Sequence, residues 1–303
     1  KKNSTLGLAV GGGLIVALAV YAAAEPLTRS RRAEVVIGSK NFTEGYILTE
    51  ILRQMLVAHT DLTIEVVPNL GSNLAYKSLK SGRIDLYPEY TGNLLTGRDA
   101  LNLPVPADKS TITPLVRERM EQEHGLVLLD LFGLNNTYAL CLPRPLAEQH
   151  KLEKISDLTR VPELRVVVDL EFKDRPDGWP GLVETYGLAF HNEPQQVSPD
   201  LLYRALESGS ADLIVGFATD WQIDSLNLHV LRDDRGYFPH YHAAPLIRAS
   251  VLNRHPIIAD VLNRLKDQID DATMRRLNAE VAAKKRPESD VVREFLVQRS
   301  LLP

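Results

Sequence analysis

The stretch Leu79-Lys80-Ser81-Gly82-Arg83-Ile84-Asp85-Leu86 recurs in altered form as Leu206-Glu207-Ser208-Gly209-Ser210-Ala211-Asp212-Leu213. Each copy has the pattern of a helix end, a Ser-Gly stop and a strand that opens with an aspartate. A glycine just past a helix commonly takes the left-handed conformation that ends it. The repeat therefore indicates two halves of the chain with equivalent helix-to-strand units.

Short β-branched runs alternate with helical patterns around both copies, which is typical of βαβ units. We therefore expect an α/β protein with two doubly wound, mostly parallel sheets and a ligand cleft between them. The predicted strands are Val35–Gly38, Leu62–Val67, Arg83–Tyr87, Tyr138–Leu142, Arg165–Val168 and Ala211–Gly216. The predicted helices are Thr43–Val57, Asn73–Lys80 and Pro199–Ser208, followed after Pro245 by Ile257–Ile269 and Ser289–Leu296.

Two crossings between the halves are expected, near Gly133–Asn136 and near Asp233–Tyr241. These two crossings assign residues 34–134 and 242–303 to lobe 1, and residues 135–241 to lobe 2. In open α/β sheets, ligands bind beyond the carboxyl ends of the strands. Two such lobes facing each other would form a cleft lined by these strand ends.

Aromatic and polar residues occupy the predicted strand ends. Tyr87-Pro88-Glu89-Tyr90-Thr91-Gly92 lies downstream of Ser39-Lys40-Asn41-Phe42-Thr43-Glu44. Aromatic faces attract a cation that has no N–H to donate, and a methylated ammonium is such a cation. The alternative is that Tyr90 and Tyr138 are ordinary core aromatics.

Composition excludes several classes of function. The formal charge of −4 over 303 residues argues against nucleic acid as a partner. Cys141 is the only cysteine, so the chain has no disulfide framework and no cysteine metal cluster. The pair His240 and His242 is too small a set to predict a metal site. We expect neither a metal nor a cofactor.

The first 24 residues have the pattern of a targeting segment. Lys1 and Lys2 precede an apolar run, which ends in Ala22-Ala23-Ala24. A cleaved signal peptide and an uncleaved membrane anchor both fit this pattern. Either implies a periplasmic or extracytoplasmic protein, tethered to the membrane in the second case.

From about Glu34 onward, the chain resembles the substrate-binding proteins of ABC importers for glycine betaine, choline, carnitine and proline betaine. The stretches that carry this resemblance are Gly38–Glu44, Tyr87–Gly92, Asn136–Ala139, Arg175–Gly178, Ala218–Asp220, Asp233-Asp234 and Phe238–Tyr241. It implies a periplasmic-binding-protein-like fold of type II, a membrane permease as partner and no enzymatic activity. A monomer is expected.

The resemblance also implies a ligand site. An aromatic box for the trimethylammonium group would consist of Tyr90, Tyr138, Phe217 and Tyr241. Lys40 and Arg175 would meet the carboxylate of the ligand, and the polar residues Asn41, Thr91 and Asn93 complete the predicted set.

Two positions depart from the family pattern. Phe217 stands where a tyrosine is usual, and Asn93 stands where a threonine is more usual. These changes leave open a larger amino-acid betaine or a polar amino acid as ligand. An enzyme on the same scaffold, acting on a small cationic substrate with His240 or His242 as base, is the alternative from another class.

Overall fold

The computed structural model describes residues 33–174, 178–198 and 201–302. The chain divides into the leading residues 1–34 and one compact unit, Val35–Pro303. The predicted targeting segment, residues 1–24, lies outside the described residues. No helix of the described ranges has both the length and the apolarity needed to cross a bilayer.

Two five-stranded sheets form the framework of the described residues. Their strand orders are β2-β1-β3-β10-β4 and β7-β6-β8-β5-β9. The strands are β1 (Val35–Lys40), β2 (Ile64–Leu70), β3 (Leu86–Tyr90), β4 (Leu126–Leu128), β5 (Tyr138–Pro143), β6 (Val166–Asp169), β7 (Gln195–Val197), β8 (Leu213–Phe217), β9 (Leu228–Val230) and β10 (Ala243–Arg248).

The two-lobed α/β fold is confirmed, with sheets that are mixed rather than mostly parallel. In the first sheet β1 pairs in parallel with β2 and β3, while β10 is antiparallel to β3 and β4. The second sheet repeats this scheme around β6 and β5. The antiparallel strands β5 and β10 are those that follow the crossings between halves. The sequence analysis missed β10, because Pro245 within it was taken to begin a helical tail.

The repeated Ser-Gly-Asp pattern produces the same contacts in both halves. Gly82 and Gly209 have φ angles of 75° and 69°. The Asp85 carboxylate accepts a 2.8 Å hydrogen bond from the backbone N–H of Val36, and Asp212 accepts one of 2.9 Å from Arg165. Each aspartate thereby ties the start of a strand to the neighbouring parallel strand.

Helices cover the faces of both sheets. They are α1 (Thr43–His59), α2 (Ser72–Lys80), α3 (Thr91–Thr96), α4 (Ile112–His124), α5 (Arg144–His150), α6 (Leu170–Asp174), α7 (Trp179–Tyr186), α8 (Leu202–Glu207), α9 (Gln222–Ser225), α10 (Ala249–Arg254), α11 (Ile257–Leu262), α12 (Asp271–Asn278) and α13 (Glu288–Gln298). The helix predicted to reach Ile269 ends at Leu262, where a 3₁₀ turn, Asn263–Leu265, follows.

Each sheet has its own apolar core. The long helix α1 packs against the first sheet through Ile47, Leu48 and Ile51, which are fully buried. In the second half, β5 carries the buried Cys141. Burial raises the pKa of the Cys141 thiol. This cysteine is therefore a small apolar core residue, as its sequence context indicates.

The two connections between the sheets lie side by side. Asn135 and His242 form an antiparallel bridge, and the backbone N–H of Asn136 donates to the Tyr241 carbonyl at 3.1 Å. The Thr137 hydroxyl donates to the Pro239 carbonyl at 3.2 Å. The two connecting segments are therefore hydrogen-bonded to each other where the chain passes between the sheets. The lobe boundaries 34–134 plus 242–303 and 135–241 remain a prediction.

Candidate ligand-binding cleft

A cleft of about 600 Å³ opens at the carboxyl ends of the central strands of both sheets. This volume suits a small organic ligand. Residues from both halves line it. Six residues of the predicted site are among them: Lys40, Tyr90, Asn93, Tyr138, Phe217 and Tyr241.

Three predicted site residues are not among the lining residues. Asn41 is exposed, and its backbone N–H donates to the Leu70 carbonyl at 3.1 Å. Thr91 is buried, and its hydroxyl donates to the His240 carbonyl at 2.9 Å. Thr91 therefore fastens the crossing rather than facing the cleft. Arg175 lies outside the described residues.

Strand register brings two of the predicted aromatic residues together. Tyr138 begins β5 and Phe217 ends β8, and the two residues are directly opposite in the antiparallel ladder. Their rings stack with centroids 5.1 Å apart and an interplanar angle of 28°. Phe217 is 36% exposed, so one of its faces is left for the cleft. This pair is an aromatic wall contributed by the second sheet.

The first sheet contributes a second set of rings. Tyr90 ends β3, and its ring centroid lies 6.5 Å from that of Phe42. Tyr241 belongs to the crossing that precedes β10. Phe42, Tyr203 and Trp221 also line the cleft and were missed as site residues. Phe42 stands within Ser39–Glu44, so its position at a strand end was the signal that could have identified it.

Lys40 is buried in an ion pair instead of presenting a free ammonium. Its side chain is 1% exposed, and its ammonium donates to the Glu89 carboxylate. The ammonium also lies 5.0 Å from the Tyr90 ring centroid. Asn93 donates to the same Glu89 oxygen at 3.2 Å. The expected contact of Lys40 with a ligand carboxylate therefore competes with Glu89.

Glu44 is a buried carboxylate in the wall of the cleft. It is 3% exposed and accepts hydrogen bonds from Tyr90 Oη at 2.5 Å, Asn136 Nδ2 at 3.1 Å and Asn278 Nδ2 at 3.4 Å. Burial raises its pKa above the ordinary value, against the opposing effect of hydrogen bonds from Thr219, Tyr90, Asn278 and Asn136. The sequence analysis quoted Glu44 in a motif but gave it no role.

Asp220 is a second carboxylate in the wall. Its Oδ2 accepts from the Tyr203 hydroxyl at 2.6 Å and from the Phe217 backbone N–H at 2.9 Å. Burial raises its pKa. The bond to Phe217 holds the end of β8, and with it the Phe217 ring, in place.

The lining as a whole favours a cation over an anion. It combines aromatic faces with the carboxylates Glu44 and Asp220. Among the described residues that line the cleft, Lys40 is the only lysine or arginine, and Glu89 pairs with it. Nowhere in the described ranges do three His, Cys, Asp or Glu side chains converge as a metal site requires.

Fold and cleft together define a two-lobed solute-binding protein. The chain belongs to the family described as the substrate binding domain of ABC-type glycine betaine transport system, whose pattern matches residues 33–298. It is therefore the substrate-binding component of an ABC importer and not an enzyme, which confirms the prediction. Such components are extracytoplasmic.

Known relatives agree with this family. The chain is 36% identical over 277 residues to the glycine-betaine-binding protein of Pseudomonas aeruginosa, covering 88% of each chain. It is 30% identical to the ergothioneine transport permease/ergothioneine binding protein EgtU of Helicobacter pylori, covering 99% of this chain but 54% of that protein. A solved glycine betaine/carnitine/choline ABC transporter structure superimposes with a TM-score of 0.84 at 28% identity, covering 88% of this chain and 99% of the other.

Proposed function

We propose that the cleft binds a small quaternary ammonium compound between the rings of Tyr90, Tyr138, Phe217 and Tyr241 and delivers it to a membrane permease. Glycine betaine, carnitine, choline and larger amino-acid betaines belong to this ligand class. The observation that carries the proposal is the stacked Tyr138–Phe217 pair, with ring centroids 5.1 Å apart. Among the described residues that line the same cleft, the only lysine, Lys40, is already paired with Glu89.

Physical chemistry supports this class of ligand. A quaternary ammonium is bulky and weakly hydrated, so aromatic faces can replace its water at little desolvation cost. Each well-placed ring contributes roughly 0.5–2 kcal/mol. Several rings can then account for useful affinity once the entropy of association is subtracted. The nearby Glu44 carboxylate adds favourable electrostatics when it is ionised.

The anionic end of a betaine needs separate partners. The resemblance assigns it to Lys40 and Arg175, with Asn41, Thr91 and Asn93 nearby. In the described structure Lys40 lines the cleft but is paired with Glu89, so we expect it to act by offsetting the charge of Glu89. Arg175 stays a prediction.

The organisation of the protein forms the second part of the proposal. Lobe 1 comprises residues 34–134 and 242–303, lobe 2 comprises residues 135–241, and the protein works as a monomer. Residues 1–24 are either a cleaved signal or a tether to the membrane. Closure of the lobes around the ligand is the state that the permease recognises.

Calorimetric titration of the full chain tests the ligand class. Glycine betaine, choline and carnitine would each be compared with the corresponding unmethylated amine. We expect heat of binding only from methylated members. Equal binding of methylated and unmethylated members would overturn the proposed preference for a quaternary ammonium, because a primary ammonium is more strongly hydrated and costs more to desolvate among ring faces.

A further inference from the structure

Two asparagines that line the cleft, Asn136 and Asn278, each carry a buried amide oxygen that the aromatic box does not use. We propose that Asn136 and Asn278 form an acceptor subsite, which binds an N–H or O–H donor carried by the ligand. This inference rests on the proposed function, because it specifies which quaternary ammonium compounds the cleft prefers.

Glu44 holds both amides. Asn136 donates through Nδ2 to Glu44 Oε1 at 3.1 Å, and Asn278 donates through Nδ2 to Glu44 Oε2 at 3.4 Å. Asn278 Nδ2 also donates to the Thr219 carbonyl at 3.0 Å. A carbonyl oxygen can only accept, so the NH₂ group of Asn278 must be the end that faces Thr219. Its Oδ1 atom is thereby turned the other way.

Glu44 itself has no need of a further donor. Its Oε1 atom receives the Tyr90 hydroxyl as well as Asn136, and Asn278 bonds the other oxygen. The carboxylate therefore orients its neighbours and leaves the recognition of a donor to them.

Both amide oxygens lack partners. Asn136 Oδ1 and Asn278 Oδ1 are buried atoms with no hydrogen bond from any described residue. Asn278 is 7% exposed as a residue, and both asparagines line the cleft. A buried acceptor without a partner is costly, and native proteins nearly always satisfy such groups. Two such oxygens beside one carboxylate in a binding cleft have the arrangement of a site that a ligand completes.

The subsite restricts the chemistry of the preferred ligand. Glycine betaine has no N–H or O–H group at neutral pH and leaves both oxygens unpaired. A trimethylated amino acid with a hydroxyl or an azole N–H can place its ammonium among the rings and its donor on the amides. The cleft, at about 600 Å³, has room for such a compound.

Matched ligand pairs test the subsite without any mutation. In calorimetry on the full chain, histidine betaine would be compared with phenylalanine betaine, and L-carnitine with its deoxy analogue γ-butyrobetaine. Within each pair the ammonium and carboxylate are the same and the donor differs. We expect the donor-bearing member to bind at least about tenfold more tightly, because its donor gives a buried amide oxygen the hydrogen bond that it lacks.

Variants locate the effect. Asn278→Ala and Asn136→Ala should weaken binding of the donor-bearing member more than that of its partner and bring the ratio of dissociation constants towards one. Gln122→Ala is the matched control, because Gln122 is an exposed amide of α4 that bonds Glu118 and does not line the cleft. For this control variant, the ratio of dissociation constants should equal that of the unchanged protein. If an asparagine variant does not fold, the ratio of dissociation constants within each ligand pair, measured on the unchanged protein, still tests the subsite.

The outcomes separate the two proposals. Equal affinities within both pairs for the unchanged protein, with tight binding throughout, would overturn the subsite and leave the quaternary ammonium function standing. A donor preference that persists in both asparagine variants would also overturn it. Failure of every quaternary compound to bind would remove the proposed function and this inference together.

Discussion

Gly92 lies directly beneath the ring of Tyr241: a Cβ atom at position 92 would come within 2.5 Å of Tyr241 Cε1. Glycine at this point of α3 therefore allows the ring to approach the end of β3, where Tyr90 stands. Only hydrogen fits in that space. The position of one wall of the cleft thus depends on the absence of a side chain in the neighbouring helix.

Gly92→Ala should displace the Tyr241 ring and weaken binding of quaternary ammonium ligands by about two- to thirtyfold, since one well-placed ring face contributes roughly 0.5–2 kcal/mol. Calorimetry with glycine betaine measures the change. Gly71→Ala is the matched control, because a Cβ at Gly71 meets nothing within 4 Å. Equal affinities for the two variants would show that Tyr241 takes no part in binding.

Tyr138 provides a test of the ring face itself. Tyr138→Phe keeps the face that stacks on Phe217, whereas Tyr138→Ala removes it. We expect the alanine variant to lose about two- to thirtyfold in affinity for trimethylated ligands, and the phenylalanine variant to lose much less. Calorimetric dissociation constants give the comparison. Equal losses would point to the hydroxyl and away from cation–π contact.

Arg275 joins the two halves of the protein through its contacts with Asp224 and Ala218. From α12 it pairs with Asp224 of α9 at 2.9 Å and donates to the Ala218 carbonyl at 2.8 Å. Arg275→Ala should speed ligand dissociation, because it removes contacts that hold the halves together. Stopped-flow measurement of the dissociation rate gives the effect.

Asp224→Ala is the companion variant. The Asp224 side chain is 59% exposed, and exposed ion pairs contribute little, so its effect should stay below about fivefold. Equal effects of Asp224→Ala and Arg275→Ala would assign the closure to the ion pair instead of the carbonyl contact.

The stability of the protein should depend on pH through Glu44. Burial raises the pKa of Glu44 in the folded protein above the ordinary value of 4.5. At pH values between 4.5 and the folded pKa, the native protein therefore binds a proton at Glu44 more readily than the unfolded chain does. The contribution of this group to the free energy of unfolding is therefore largest below pH 4.5 and falls as pH rises through the folded pKa.

Glu44→Gln isolates that contribution. The free energy of unfolding of the variant minus that of the unchanged protein should become more positive between pH 4 and the folded pKa, whatever constant offset the lost hydrogen bonds introduce. Urea denaturation at several pH values measures it. A difference that is constant with pH would mean that Glu44 titrates alike in both states.

The fold was predictable because its signals are local. The alternation of strands and helices and the Ser-Gly-Asp repeat follow from short stretches of sequence. Tyr138 and Phe217 were assigned to the site through the family resemblance, and the ladder of the second sheet places these two residues opposite each other. The antiparallel strand β10 was not, because its place in the first sheet depends on pairing with β3, more than 150 residues earlier in the chain.

The contacts of the site that the sequence analysis missed share a physical reason. Asn278 reaches Glu44 across 234 residues of sequence, and Lys40 meets Glu89 across 49. Nothing in the residues around Lys40 indicates that its charge is already neutralised. Likewise, the residues around Glu44 indicate only an acidic side chain in the first turn of a helix, where such side chains are common. Only the assembled chain shows which polar groups are satisfied and which remain open.

The buried thiol of Cys141 makes the protein a convenient subject for labelling. As the sole cysteine of the chain, it sits in the middle of β5 with its reactive thiolate suppressed by burial. A maleimide dye should therefore not react with the native protein and should label Cys141 only when the second sheet opens. Cysteines introduced on either side of the cleft can carry a fluorophore pair for following closure, with no need to replace the natural residue first.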